Sequence, residues 1–260
     1  MNRYAQSLVE LARKYRGAEA QVVRAYFSKP KRKEDHFRWL KAQAFKEYSA
    51  VKPLLAALVK LYSHVDKRVD RHQFEELSEK LADETKHARL IMDLLEEISG
   101  KEITPKDLLW LPEDKKLAKI RARYSKTYAG LLHGSENFTS REIRRRDEDL
   151  ERAVITLSEG GGGALYHVCS RFKAGGIKRR IASVFRVIYF DEVRHKDAGA
   201  RPLANLLRTR KDYERGLRIV REVSGQRLRM RNEQFGFPLS QKGLRKLERD
   251  LTNKLPDPDS

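Results

Sequence analysis

Hydrophobic positions between residues 35 and 205 recur every three or four residues in four long stretches, a spacing that gathers them on one face of an α-helix. The first stretch opens near Asp35, a suitable N-cap, and its stripe runs Phe37, Leu40, Ala44, Glu47, Val51, Leu54, Leu58, Leu61. A turn over residues 66–70 leads to the second, Phe74, Leu77, Leu81, Glu84, Ala88, Ile91, Leu95, Ile98, which Gly100 should end. Thr139 and Glu142 have the spacing of a capping box and open a third long helix with the seam Ile155, Glu159, Gly162, Tyr166, Cys169. A second apolar edge, Val154, Leu157, Leu165, Val168 and Phe172, predicts that this helix is buried on two sides. After Ala174, Gly175 and Gly176 the fourth stretch reads Ile181, Phe185, Ile188, Glu192, His195, Gly199. Strand signals are scarce, so the expected fold class is all-α.

The flanks are patterned differently. Residues 1–28 form an amphipathic stretch with Tyr4, Leu8, Leu11, Tyr15, Val22 and Tyr26 on one side, ended by a basic run at 29–33, and are expected to pack outside the bundle. Residues 99–138 carry two prolines and read as a long connection with a short helix over 113–132. Beyond residue 205 the chain is Arg-rich through Arg231 and then polar, which predicts one helix followed by disorder. The whole is expected to be a single domain, 1–260, with a core at 35–205, an N-terminal helix and linker at 1–34 and a basic C-terminal extension at 206–260.

Each of the four stripes is interrupted by a glutamate, and two of them carry a histidine three residues later. The order along the chain is Glu47, then Glu84 with His87, then Glu159, then Glu192 with His195. Residues three apart share a helix face, so one turn presents a carboxylate and an imidazole together. Glu47 and Glu84 are 37 positions apart and Glu159 and Glu192 are 33 apart, so each pair fits a helical hairpin with its polar groups at matching height. The 75 positions from Glu84 to Glu159 leave room for a connection along the length of a bundle. A lone Glu-x-x-His on a helix is commonly a solvated pair. Two of them at apolar seam positions are different, because unpaired carboxylates facing a packed core cost several kcal/mol each and divalent cations are the simplest compensation. Glu151 replaces Glu159 if the third helix is shifted. The run Gly160 to Gly163 costs about 1 kcal/mol per glycine inside a helix, which fits either a helix break or a widened turn beside a site.

Over residues 35–205 these motifs resemble the ferritin-like superfamily of di-iron and di-manganese carboxylate proteins, and Asp191-Glu192-Val193-Arg194-His195 is similar to the Asp-Glu-x-Arg-His motif of several of its oxidases. The resemblance implies a ferritin-like four-helix bundle with one long crossover and extra N- and C-terminal helices. It further implies a metal centre at Glu47, Glu84, His87, Glu159, Glu192 and His195, taking two iron ions, with manganese or one of each left open. Asp83 and Asp191, each preceding a motif glutamate, would hold the histidine of the opposite motif, Asp191 with His87 and Asp83 with His195. The activity it implies is oxidation of a substrate with O2 or peroxide, the substrate and oligomeric state, including a homodimer, staying open.

Composition narrows the alternatives. One cysteine, Cys169, excludes an internal disulfide framework, a rubredoxin module and an iron–sulfur cluster, and no Gly-x-Gly-x-x-Gly motif is present, so electrons would come from a separate donor. No segment has the roughly 20 uncharged apolar residues of a membrane span and the N-terminus lacks a signal-peptide pattern, which makes a cytoplasmic protein the expectation. The net charge of +19 favours contact with a polyanion such as RNA, so a nucleic-acid hydroxylase stands beside an iron-oxidising protein and a non-catalytic bundle as rival readings.

Overall fold

The structure is a computed structural model that describes residues 2–67, 69–124, 146–159, 162–173, 175–195 and 202–252, with Glu159 and His195 described in backbone only. Among them every extended element is helical: α1 (Arg3–Phe27), α2 (Phe37–Tyr62), α3 (Arg71–Ser99), α4 (Pro112–Tyr124), α5 (Arg146–Glu159), α6 (Gly162–Cys169), α7 (Ile177–His195), α8 (Leu203–Leu206), α9 (Arg210–Gln234) and α10 (Gln241–Thr252). The boundaries follow local chemistry. Asp70 caps α3 by accepting from the His72 amide, and Gly100 ends the helix in the left-handed conformation at φ 70°, as the sequence predicts. Asp35 instead lies in a 3-10 turn over Glu34–His36 and accepts from the Arg32 amide, so it closes the preceding loop and α2 starts after His36. The region expected as one long third helix holds α5 and α6, and the capping box at Thr139 lies outside the described residues.

Helices α2 and α3 form an antiparallel hairpin, and α7 runs antiparallel to α3, with Arg180 bridging to Glu97 at one end and Lys86 to Asp191 towards the other. The predicted stripes face inward: Leu40, Ala44, Ile91, Leu95, Tyr166, Cys169, Ile181, Phe185 and Ile188 belong to one buried cluster. Burial of these side chains at about 1.5–3 kcal/mol each is the main force holding the helices in this order.

Two expectations about the flanks are corrected. Helix α1 does not pack outside the bundle: Leu8, Leu11, Tyr15, Val22 and Val23 are buried, and its last turn joins the main cluster through Tyr26 and Phe27. It lies parallel to α9, with Tyr4 stacked on Tyr213 at one end and Tyr26 against Phe235 at the other. Among its described residues the C-terminal region holds two helices, α9 and α10, and α9 is deeply buried despite its arginines. The reason is pairing: Arg227 and Arg231 meet Glu19 of α1, so their charges are satisfied inside the molecule.

Candidate metal centre

Three helices bring polar side chains to one depth. Glu47 projects from α2, Glu84 and His87 from successive positions on one face of α3, and Asp191 and Glu192 from the last turns of α7. Glu47 is 5% exposed and His87 is 1% exposed, so neither is satisfied by bulk water. Ligand atoms of Glu47, Glu84 and His87 lie within 4.8 Å of one another, the arrangement of a group that could hold a metal ion.

The two ring nitrogens of His87 face different surroundings. Nε2 lies 3.2 Å from Asp191 Oδ2, while Nδ1 sits 3.7 Å from Glu47 Oε2 and 3.8 Å from Glu192 Oε1. Those last separations are too long for hydrogen bonds, and among the described residues the buried Nδ1 has no hydrogen-bond partner. Two donors on one cation, each about 2.0–2.2 Å from it, stand roughly 3–4 Å apart. The orphaned nitrogen and the carboxylate oxygens around it therefore fit a shared cation. Asp83, His87 and Asp191 form a second compact group, but the Lys86 ammonium already lies 2.7 Å from Asp191 Oδ2 and supplies the positive charge there. The first group is the better cation site.

Electrostatics follow from crowding. Burial raises the Glu47 carboxyl, but the close His87 ring, the Glu84 carboxyl and the Tyr166 hydroxyl outweigh it and bring it down to about 2. Glu84 is pushed well above the usual carboxylate range by loss of water and by the negative charge of Glu47 beside it. Burial and the same Glu47 charge push the Tyr166 phenol up. Asp191 loses water too, yet Lys86 and His87 hold it below the ordinary aspartate value. Repelling carboxylates crowded round a lone imidazole nitrogen favour a bound cation over this arrangement of bare charges.

Of the residues picked out in the sequence, the structure brings together Glu47, Glu84, His87, Asp83, Asp191 and Glu192. The side chains of Glu159 and His195 lie outside the described residues, so the pairing of Asp83 with His195 does too. Glu151 is taken by Arg215, with Nη2 at 2.6 Å, on the α5–α9 contact. Sequence reasoning missed Gln43, which is 2% exposed and donates to Glu47 Oε1 at 2.6 Å. Its signal was available: Gln43 is one turn before Glu47, where an apolar seam would place a hydrophobic residue. No protein-family profile, characterised protein or solved structure matches the chain.

Proposed function

We propose that the chain is a ferritin-like di-iron oxidoreductase, in which Glu47, Glu84, His87, Glu159, Glu192 and His195 hold two metal ions and O2 or peroxide oxidises a substrate. The observation that carries the reading is the buried His87 Nδ1, unpartnered among the described residues and faced by carboxylate oxygens. The hairpin of α2 with α3, the contact of α6 with α7 and the long connection between the two pairs support the bundle assignment, with α1 and α9 as additions to its core.

When bound, the metals would supply open coordination positions for the oxidant and electrons for its reduction, replenished by a separate donor. The chain's own residues prepare the site. Asp191 accepts from His87 Nε2, which selects the tautomer whose Nδ1 lone pair faces the carboxylates. Ala44, Ile91 and Ile188, about one turn from Glu47, His87 and Glu192, are buried and keep water from that side.

Metal analysis of protein made with supplied iron, then anaerobic reduction and exposure to O2 followed by optical spectroscopy, tests the proposal. About two ions per chain and an oxidised di-iron spectrum are expected. Glu84→Ala and His195→Ala should abolish both; a chain that retains no metal overturns the reading.

One observation favours a nucleic-acid substrate. Lysines from the basic loop at 29–33 and from the first turn of α7 reach the end of α1, where Lys31 covers the Tyr26 ring at 4.4 Å, Lys178 lies over Phe27 at 6.0 Å and the Phe27 and Phe172 rings stand 4.5 Å apart between centroids. RNA binding that weakens steeply with salt would support this substrate class, and its absence at low salt would remove it.

A further inference from the structure

Glu47 does not have two free oxygens. Oε1 accepts from Gln43 Nε2 at 2.6 Å and from the Tyr166 hydroxyl, and Gln43 Nε2 also reaches that hydroxyl at 2.7 Å. Oε2 is the oxygen turned to His87 Nδ1.

Gln43 is held from behind. Its Oε1 accepts from Arg231 Nη1 and from Gln234 Nε2, both at 3.1 Å. Gln234 Nε2 also donates to the Trp39 carbonyl at 3.0 Å, and its side-chain oxygen accepts from Arg231. Arg231 in turn donates to Glu19, whose other oxygen takes Arg227 Nε at 2.9 Å. Gln43, Gln234, Arg231 and Glu19 are each 2% exposed or less. With a guanidinium on one side of the amide and a carboxylate on the other, only one orientation of Gln43 satisfies both, oxygen towards Arg231 and nitrogen towards Glu47.

A clamp of α1 to α9 would need only the ion pairs with Glu19, and one of α9 to α2 only the Gln234 contact with the Trp39 carbonyl. The chain instead continues through Gln43 to a single oxygen of Glu47. We infer that Gln43, oriented by Arg231 and Gln234, is a positioning residue that withholds Oε1 and presents Oε2, so that Glu47 ligates metal through one oxygen. This rests on the metal-centre reading above. Two donors on Oε1 occupy both of its lone pairs, which leaves Oε2 as the oxygen free to face a cation.

Titration of the full chain with Co(II), read by its visible absorption, tests this with two variants. Gln43→Met keeps the shape and removes the donors while Arg231 retains Gln234; Tyr166→Phe removes the other donor to Oε1 and leaves the amide network intact. Both should bind Co(II) about 10- to 100-fold more weakly, the usual range for loss of such support, with altered band positions and intensities as Oε1 enters the coordination sphere. Unchanged affinity and bands in both variants, with Co(II) bound by the wild type, would overturn the positioning role and leave the metal centre standing. Weaker binding with unchanged bands and a matching fall in Tm would reduce Gln43 to a packing residue and also overturn it. A wild-type chain that binds no Co(II) would remove the metal centre and this inference together.

Discussion

His87 on α3 and Asp191 on α7 meet with Nε2 3.2 Å from Oδ2, both side chains buried and more than a hundred residues apart in sequence. The contact aligns the two motif helices and leaves the second ring nitrogen facing Glu47 and Glu192. Asp191→Asn keeps the size and removes the charge, so metal affinity should fall about 10- to 100-fold with little change in helicity. Isothermal titration with Fe(II) or Co(II) measures it; equal affinity would show that His87 needs no such partner.

Glu19 lies 2% exposed between Arg227 and Arg231, and those cations hold its carboxyl below the usual range against the opposing effect of burial. Glu19→Ala strands two buried guanidinium groups. A loss of about 3–5 kcal/mol in denaturant unfolding is expected, and a loss under 1 kcal/mol would show that water replaces the carboxylate.

His36 is buried beneath Phe27 and accepts from Trp39 Nε1 at 3.1 Å. Burial brings its folded-state value down to about 4 from the ordinary 6.5, which favours the neutral ring. The unfolded chain therefore takes up this proton at higher pH than the native one. The stability contributed by neutral His36 is fully present above about pH 6.5 and is lost as pH falls towards 4, a difference of order 3 kcal/mol. In thermal melts across that window His36→Gln should flatten the descent; an identical slope in both proteins would refute the assignment.

Two glycines of α9 should respond differently to alanine. At Gly216 an added Cβ would stand 2.6 Å from Leu8 Cδ1, a fully buried group at the α1–α9 crossing, so overpacking of about 1–3 kcal/mol exceeds the gain in helix propensity of about 1 kcal/mol. At Gly225 the nearest atom is the end of the Glu248 side chain, which can swing away. Gly225→Ala should therefore leave Tm close to wild type while Gly216→Ala lowers it by several degrees. The reverse order would contradict the close crossing.

The helical period of the apolar positions determined α2, α3 and α7, because one-sided burial imprints itself directly on a repeat of three and four residues. Glu47, Glu84 and His87 were legible for the same reason, since a polar group on an apolar face stands out against its neighbours, while Asp191 came through the resemblance of its motif. Helices α1 and α9 were misjudged because that rule treats polar residues as solvent-facing. Arg227, Arg231, Gln234 and Glu19 are buried through pairing with one another, and pairing between residues some two hundred positions apart leaves no local periodicity. Gln43 did interrupt the apolar seam, but its role depends on Arg231 behind it and Glu47 in front. Sequence alone thus determined which faces turn inward and which carboxylates they carry, while tertiary structure decided which oxygen of Glu47 is already engaged, because hydrogen-bond direction is settled only when both partners are in place.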